Sequence, residues 1–137
     1  MQRKITLSND VQEVPRLNEF IDGVCEGLDF DMATTMKMNL AIEEAVVNVM
    51  NYAYPAETKG EVNIEAKADD ECLTFIICDK GTPFDPTTNK EVDTTLSAEE
   101  RSIGGLGIHL VRQIMDSLEY ERIDGMNVLT LRKKLTT

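Results

Sequence analysis

Residues 43–55, EEAVVNVMNYAYP, set an acid and an amide four positions apart on a segment otherwise rich in small apolar side chains. At about 100° per residue, Glu44, Asn48 and Asn51 fall within a stripe about 60° wide. Met38, Ile42, Ala45, Val46 and Val49 occupy the opposite side, so the segment reads as a helix with a buried face. Leu40 and Val47 flank the polar stripe, which is therefore not a plain charged outer surface. A carboxylate four residues before a carboxamide gives one helix both a proton acceptor and a neutral oxygen for a hard cation. Phosphoryl transfer uses both, one to orient the attacking hydroxyl or water and one to hold a magnesium ion on the phosphates. Taken alone, the pattern favours ordinary polar residues on a solvated face. The stretches around it shift that balance.

Upstream, Asp31 is placed to cap this helix, which ends near Tyr54-Pro55. Val11, Val14, Leu17, Phe20, Ile21 and Val24 recur at helical spacing, with Asn9 or Asp10 as the N-cap and Gly27 as the stop. Residues 3–7, RKITL, read as a short strand. Downstream, Val62, Ile64 and Ala66 alternate as a half-buried strand over 61–68, and Asp69-Asp70-Glu71 turns into the more fully apolar LTFIICD of 73–79. A third helix is expected over about 106–118, burying Leu106, Leu110, Val111, Ile114, Met115 and Leu118. LEYERI and NVLTLRKKL flank Asp124-Gly125, a hairpin signal. The order β-α-α-β-β-loop-α-β-β implies an α+β fold, a two-layer α/β sandwich with a mostly antiparallel, mixed sheet and three helices on one face.

Between Gly81 and Gly104 runs GTPFDPTTNKEVDTTLSAEERSIG, with no apolar period and with Pro83 and Pro86. A connection this long inside a compact domain is usually a functional lid or a disordered segment. It starts just after Asp79, an acid where an apolar strand ends, and finishes in Gly104-Gly105-Leu106-Gly107, which leads into a helix. Glycines before a helix let backbone N–H groups approach phosphate oxygens with the helix dipole assisting. They also serve tight helix–sheet packing, and an isolated Asp-x-Gly is usually only a turn.

The chain has 137 residues, 42% hydrophobic and 28% charged, which suits one soluble globular domain. Its apolar stretches fall short of a membrane span, and charges and Pro15 break any leader-like run near the start. Fourteen basic against 25 acidic residues give a net charge of −11, which argues against nucleic acid as a partner. Cys25, Cys72 and Cys78 lack CxxC spacing and fit reduced thiols in a cytoplasm, with Cys72 and Cys78 expected in the core. His109 stands alone, which excludes a histidine-based metal cluster.

Three signals thus follow in order: Glu-x3-Asn on a helix, Asp-x-Gly after a strand, and a lid ending in Gly-x-Gly before a helix. This set resembles the Bergerat-fold ATP-binding superfamily of gyrases, sensor histidine kinases and heat-shock chaperones. Glu44-Ala45-Val46-Val47-Asn48 resembles its first motif, Asp79-Lys80-Gly81-Thr82-Pro83 its second, and Gly105-Leu106-Gly107 its third. No GxxxxGK sequence of the Walker-A type is present. Within the superfamily, EEAVVNVMNYAYP and ERSIGGLGIHLVRQIMD are similar to the small bacterial anti-sigma-factor serine/threonine kinases. The length leaves no room for the phosphoacceptor domain of a sensor kinase or the transducer domain of a gyrase.

That resemblance implies ATP with magnesium, a homodimer and two protein partners, a sigma factor held inactive and an anti-anti-sigma protein phosphorylated on Ser or Thr. Glu44 would be the general base and Asn48 the magnesium ligand, with Asn51 beside them in the nucleotide site. Asp79 would accept a hydrogen bond from the adenine amino group, and Gly81 would let the base approach the backbone. Gly104, Gly105, Leu106 and Gly107 would cradle the phosphates, Arg101 would reach the phosphates or the partner, and Thr94 and Thr95 would contribute hydroxyls. The family's threonine after the last hairpin glycine, which holds adenine through water, is replaced by Met126 and Asn127, with Asn127 the candidate substitute. A module that sequesters a partner with little or no phosphoryl transfer is the alternative; the retained Glu44 argues against it. The lid, about 82–104, is expected to tighten on nucleotide, and the apolar stripe of the first strand and helix is expected to form the dimer surface.

Overall fold

A computed structural model of the chain describes residues 1–55, 57–88 and 107–135. Strands β1 (Gln2–Ser8), β2 (Glu61–Ala68), β3 (Cys72–Asp79), β4 (Ser117–Ile123) and β5 (Met126–Lys134) form one sheet in the order β1-β2-β3-β5-β4. Its four pairings are all antiparallel, so among the described residues the sheet has no parallel component. Two helices, α1 (Val14–Gly27) and α2 (Met32–Tyr52), precede β2, and a third, α3, is helical over residues 107–114.

The period-2 burial of the strands explains the layering. Val62, Ile64 and Ala66 of β2 and Leu73, Phe75 and Ile77 of β3 are buried, while their neighbours are less so. These inward side chains form one core with Leu17, Ile21 and Val24 of α1 and Met38, Ile42, Ala45, Val46 and Val49 of α2. Burying each large aliphatic or aromatic side chain contributes roughly 1.5–3 kcal/mol. Of the apolar stripe, Leu17, Ile21 and Val24 are taken up by the chain's own core, Val14 and Phe20 are half-buried, and Val11, in the turn before α1, is 50% exposed. On the opposite face of the sheet the contacts are polar, as where Thr6 Oγ1 donates to Asn63 Oδ1 at 2.7 Å. Cys72 and Cys78 lie on that less buried side, and Cys25 is the cysteine that reaches the core.

Local chemistry sets the element ends. Asp31 caps α2 by accepting from Thr34 N at 2.7 Å. Asp10, not Asn9, caps the short 3-10 turn Val11–Glu13 that leads into α1, while Asn9 is tied to Thr58 and Gly60. Gly27 closes α1 in sequence, but the left-handed residue that turns the chain is Asp29, at φ 56°. Asp124 and Gly125, both at positive φ (49° and 79°), give the two-residue β4–β5 turn of type I′. Of the face assigned to α3, Val111 and Met115 are buried, Leu110 and Ile114 half-buried, and Leu118 already belongs to β4. Ile108 is buried as well. No helix among the described residues is long and apolar enough to cross a membrane.

The same alternation that fills the core carries two polar side chains inward. Leu73, Phe75 and Ile77 are followed in register by Asp79, and Asn127 precedes Leu129 and Leu131 on β5. Asp79 and Asn127 stand directly opposite each other in the β3–β5 ladder.

Candidate active site

Asp79 is 2% exposed at the end of β3. Its Oδ1 accepts from Gly81 N at 2.8 Å and from Asn127 Nδ2 at 2.9 Å. Its Oδ2 is buried with no hydrogen-bond partner among the described residues. A buried acceptor without a partner costs on the order of 1–3 kcal/mol, more when charged, so such an atom marks a place where a ligand's donor is welcome. Burial pushes the Asp79 carboxyl above its ordinary range, opposed by the Asn127 and Gly81 hydrogen bonds and by the charge of Arg122.

The chain beyond Asp79 is fastened to the end of α2. Thr82 N and Thr82 Oγ1 both donate to Ala53 O, at 2.6 and 3.0 Å. A Cβ on Gly81 would lie 2.3 Å from that carbonyl oxygen. Gly81 is thus needed for the approach of Ala53, a reason distinct from the approach of a base. Arg122 Nη1 donates to Gly81 O at 2.8 Å and holds the loop from the β4 side. Farther along, the rings of Tyr52 and Phe84 meet at 5.5 Å, and Arg112 of α3 donates to Thr87 O at 2.5 Å.

Asn127, 3% exposed, knots these elements together. Besides its bond to Asp79, Nδ2 donates to Thr82 O at 2.8 Å. Its Oδ1 accepts from Phe84 N at 3.2 Å and from the Tyr120 hydroxyl.

Two turns back along α2, Glu44 is half-buried and Asn48 is 6% exposed. A Cβ on Gly107 would stand 2.7 Å from Glu44 Oε2 and 3.5 Å from Asn48 Nδ2, so α3 rests its first described residue against the acid–amide pair. Neither side chain has a hydrogen bond or ion pair among the described residues. Asn51 lies exposed on the same helix. Glu44, Asn48 and Gly107 therefore come together, as do Asp79 and Gly81 at the far end of α2. Arg101, Gly104, Gly105 and Leu106, with Thr94 and Thr95, lie outside the described residues. Sequence reasoning gave no role to Ala53, Tyr120 or Arg122, placed Thr82 in a motif without a role of its own, and put Asn127 at the adenine without foreseeing that it faces Asp79 directly.

The chain is similar to several known proteins. A family model described as a histidine kinase-like ATPase domain matches residues 7–133. The serine-protein kinase RsbW of Listeria monocytogenes is 28% identical over 140 residues, covering 94% of this chain and 86% of that protein. RsbW of Bacillus velezensis is 26% identical over 133 residues, covering 93% and 81%. The serine/threonine-protein kinase BtrW of Bordetella bronchiseptica is 29% identical over 94 residues, covering 69% and 66%. Among solved structures, the mycobacterial sensor histidine kinase MprB matches 98% of this chain and 97% of its own with a TM-score of 0.54 and 13% identity, a likeness of fold.

Proposed function

We propose that this chain, which belongs to the histidine kinase-like ATPase domain family, is an ATP-dependent protein serine/threonine kinase of the partner-switching kind. In this reading it acts in the cytoplasm as a homodimer, holds a sigma factor inactive, and phosphorylates an anti-anti-sigma protein on Ser or Thr. The kinase names of its relatives support the activity. The observation that carries it is the Glu44 carboxylate, unpaired among the described residues and set beside Asn48 and Gly107. A module that only bound ATP would have no use for a free carboxylate at that spot.

In this reading the side chains divide the work. Asp79 Oδ2 accepts from the 6-amino group of adenine; guanine would present a carbonyl oxygen there, and two acceptors facing each other repel. Asn48 offers its carboxamide oxygen to magnesium. No three His, Cys, Asp or Glu side chains among the described residues form a metal cluster. That suits an ion held mainly by phosphate oxygens and water, with one or two protein ligands. ATP with magnesium supplies the phosphoryl group. Backbone N–H groups near Gly107 would meet the phosphates with Asn51 at the rim, and Gly104, Gly105, Leu106 and Arg101, outside the described residues, are the proposed remainder of the cradle. Glu44 takes the proton of the partner's hydroxyl as that oxygen attacks.

The test is transfer from labelled ATP to candidate anti-anti-sigma proteins by wild type and Glu44→Ala. Wild type should label a Ser or Thr, and the variant should lose about 10²–10⁴-fold in rate while still binding ATP, as expected for loss of a general base. Transfer by Glu44→Ala at the wild-type rate would remove Glu44 from the chemistry. ATP binding without transfer to any candidate would leave the sequestering module as the function.

A further inference from the structure

We propose that Asn127 is a positioning and specificity-determining residue, which fixes the Asp79 oxygen that reads the base and does not itself touch the nucleotide. The inference rests on the ATP-binding reading above and concerns how that contact is made selective.

A carboxamide has two N–H donors and an oxygen with two lone pairs, four hydrogen bonds at most. Asn127 makes all four, to Asp79 Oδ1, Thr82 O, Phe84 N and the Tyr120 hydroxyl. Nothing is left for a base or for a water bridging to one. The substitution of Asn127 for a water-mediated adenine contact, expected from sequence, therefore gives way to a different role. The amide's orientation is fixed too. Turned over, its oxygen would face Asp79 Oδ1 and Thr82 O, both acceptors, and its N–H₂ would face the Phe84 N–H, a donor.

That fixed amide fixes the carboxylate. Asp79 Oδ1 takes two donors, from Asn127 and from Gly81. Rotation of the carboxylate would break both bonds, so Oδ2 stays the carboxylate oxygen without a partner among the described residues. A single immobile acceptor matches a single exocyclic amine. Residues that look equivalent would fail here: threonine has one donor and a shorter reach, and aspartate has at most one donor, and only when protonated. The same four bonds join the end of β3, residues 82–84 and β4, so the selective atom is held by three stretches of chain.

The experiment compares dissociation constants for ATP and for purine riboside 5′-triphosphate, which lacks only the 6-amino group. Titration calorimetry on the full chain reads them for wild type, Asn127→Ala and the isosteric Asn127→Asp, with circular dichroism to establish folding. Wild type should prefer ATP by about tenfold or more, the loss expected for a hydrogen bond to a buried charged acceptor. Both variants should bring that ratio to within about threefold of unity, because Asp79 is then free to turn. A residue that merely supported the fold would weaken both ligands in parallel and keep the ratio. A wild-type ratio in whichever variant folds overturns the proposal. If wild type binds neither nucleotide, the ATP reading itself fails; if it binds both equally, the adenine contact of Asp79 fails and the proposal with it.

Discussion

Around Asp79, hydrogen bonds from Gly81 and Asn127, the Thr82–Ala53 contact and the Arg122–Gly81 contact hold the site, and Oδ2 is left as the carboxylate oxygen without a partner among the described residues. Around Glu44 and Asn48, farther up the same helix, no hydrogen bond or ion pair forms among the described residues. One end of the site is finished by the fold; the other is left for its substrates to finish. The difference matches the work asked of each. Telling one base from another needs an acceptor that cannot move, since an adaptable site discriminates poorly. A carboxylate that must take a proton from another protein has to stay accessible to it, and an internal partner would compete for its lone pairs.

Replacing Gly81 should strain the contrast most. In Gly81→Ala the new Cβ meets the Ala53 carbonyl at 2.3 Å, and helix backbone cannot give way cheaply. We expect about 3 kcal/mol of lost stability in urea unfolding, at the upper end for overpacking, together with loss of ATP binding. Stability within about 0.5 kcal/mol of wild type, the range of an ordinary surface change, would mean the base end is far more pliable than its bonds imply.

Asp79→Asn has the next largest effect and acts on two properties in opposite directions. ATP affinity should fall by about 1–3 kcal/mol, because an amide can turn a donor toward the adenine amino group. The effect on the free protein depends on pH. Burial lifts the folded carboxyl above its ordinary 3.8, so the native state holds its proton longer than the unfolded chain does. Its stabilising contribution is complete below the unfolded value and is lost as pH rises through the raised folded one. Wild type should therefore lose stability relative to Asp79→Asn across that window, and denaturation midpoints measured every half unit from acid to neutral would read it. A constant difference at every pH contradicts a strained, buried carboxylate.

Gly107→Ala is the mildest change and sharpens the other side. Its Cβ crowds Glu44 Oε2, the far end of a flexible side chain, at 2.7 Å, and reaches Asn48 Nδ2 at an ordinary 3.5 Å. The fold should change by less than about 1 kcal/mol, with alanine's helix preference partly offsetting the contact. Phosphate transfer should nevertheless slow more than ATP binding weakens, because the displaced group is the proposed base. Equal losses in both would place Gly107 in nucleotide binding alone.

Much of this was legible in the sequence because the rules involved are local. The period of α2, the Asp31 cap and the Asp124-Gly125 turn each depend on residues within a few positions of one another. The end of α3 was misjudged because Leu118 continues an apolar spacing that suits both a helix and the first residue of a strand. Gly27 ends α1 as its residue type suggested, but the left-handed residue after it is Asp29, a residue type that tolerates that region. The role of Asn127 lay out of reach for another reason. Its partners at 79, 82, 84 and 120 are brought to it by strand register and loop path, neither of which leaves a mark in the residues beside it. Gly81 showed the same limit: its neighbour across the gap, Ala53, is nothing unusual as a residue and matters only for where its carbonyl ends up.

The double hydrogen bond from Thr82 to Ala53 makes α2 a measuring rod. Glu44 lies nine positions before Ala53 on one continuous helix, about 13.5 Å at 1.5 Å per residue. The loop that reads the base is pinned to one end of that length, and the carboxylate that meets the partner's hydroxyl projects from the other. Span and direction are thus written in a count of residues. Inserting or deleting a single residue between them would slide the carboxylate by about 1.5 Å and swing it by about 100° around the helix. The number of residues from 44 to 53 is thus a constraint of its own, beside those that the core and the site place on the side chains along it.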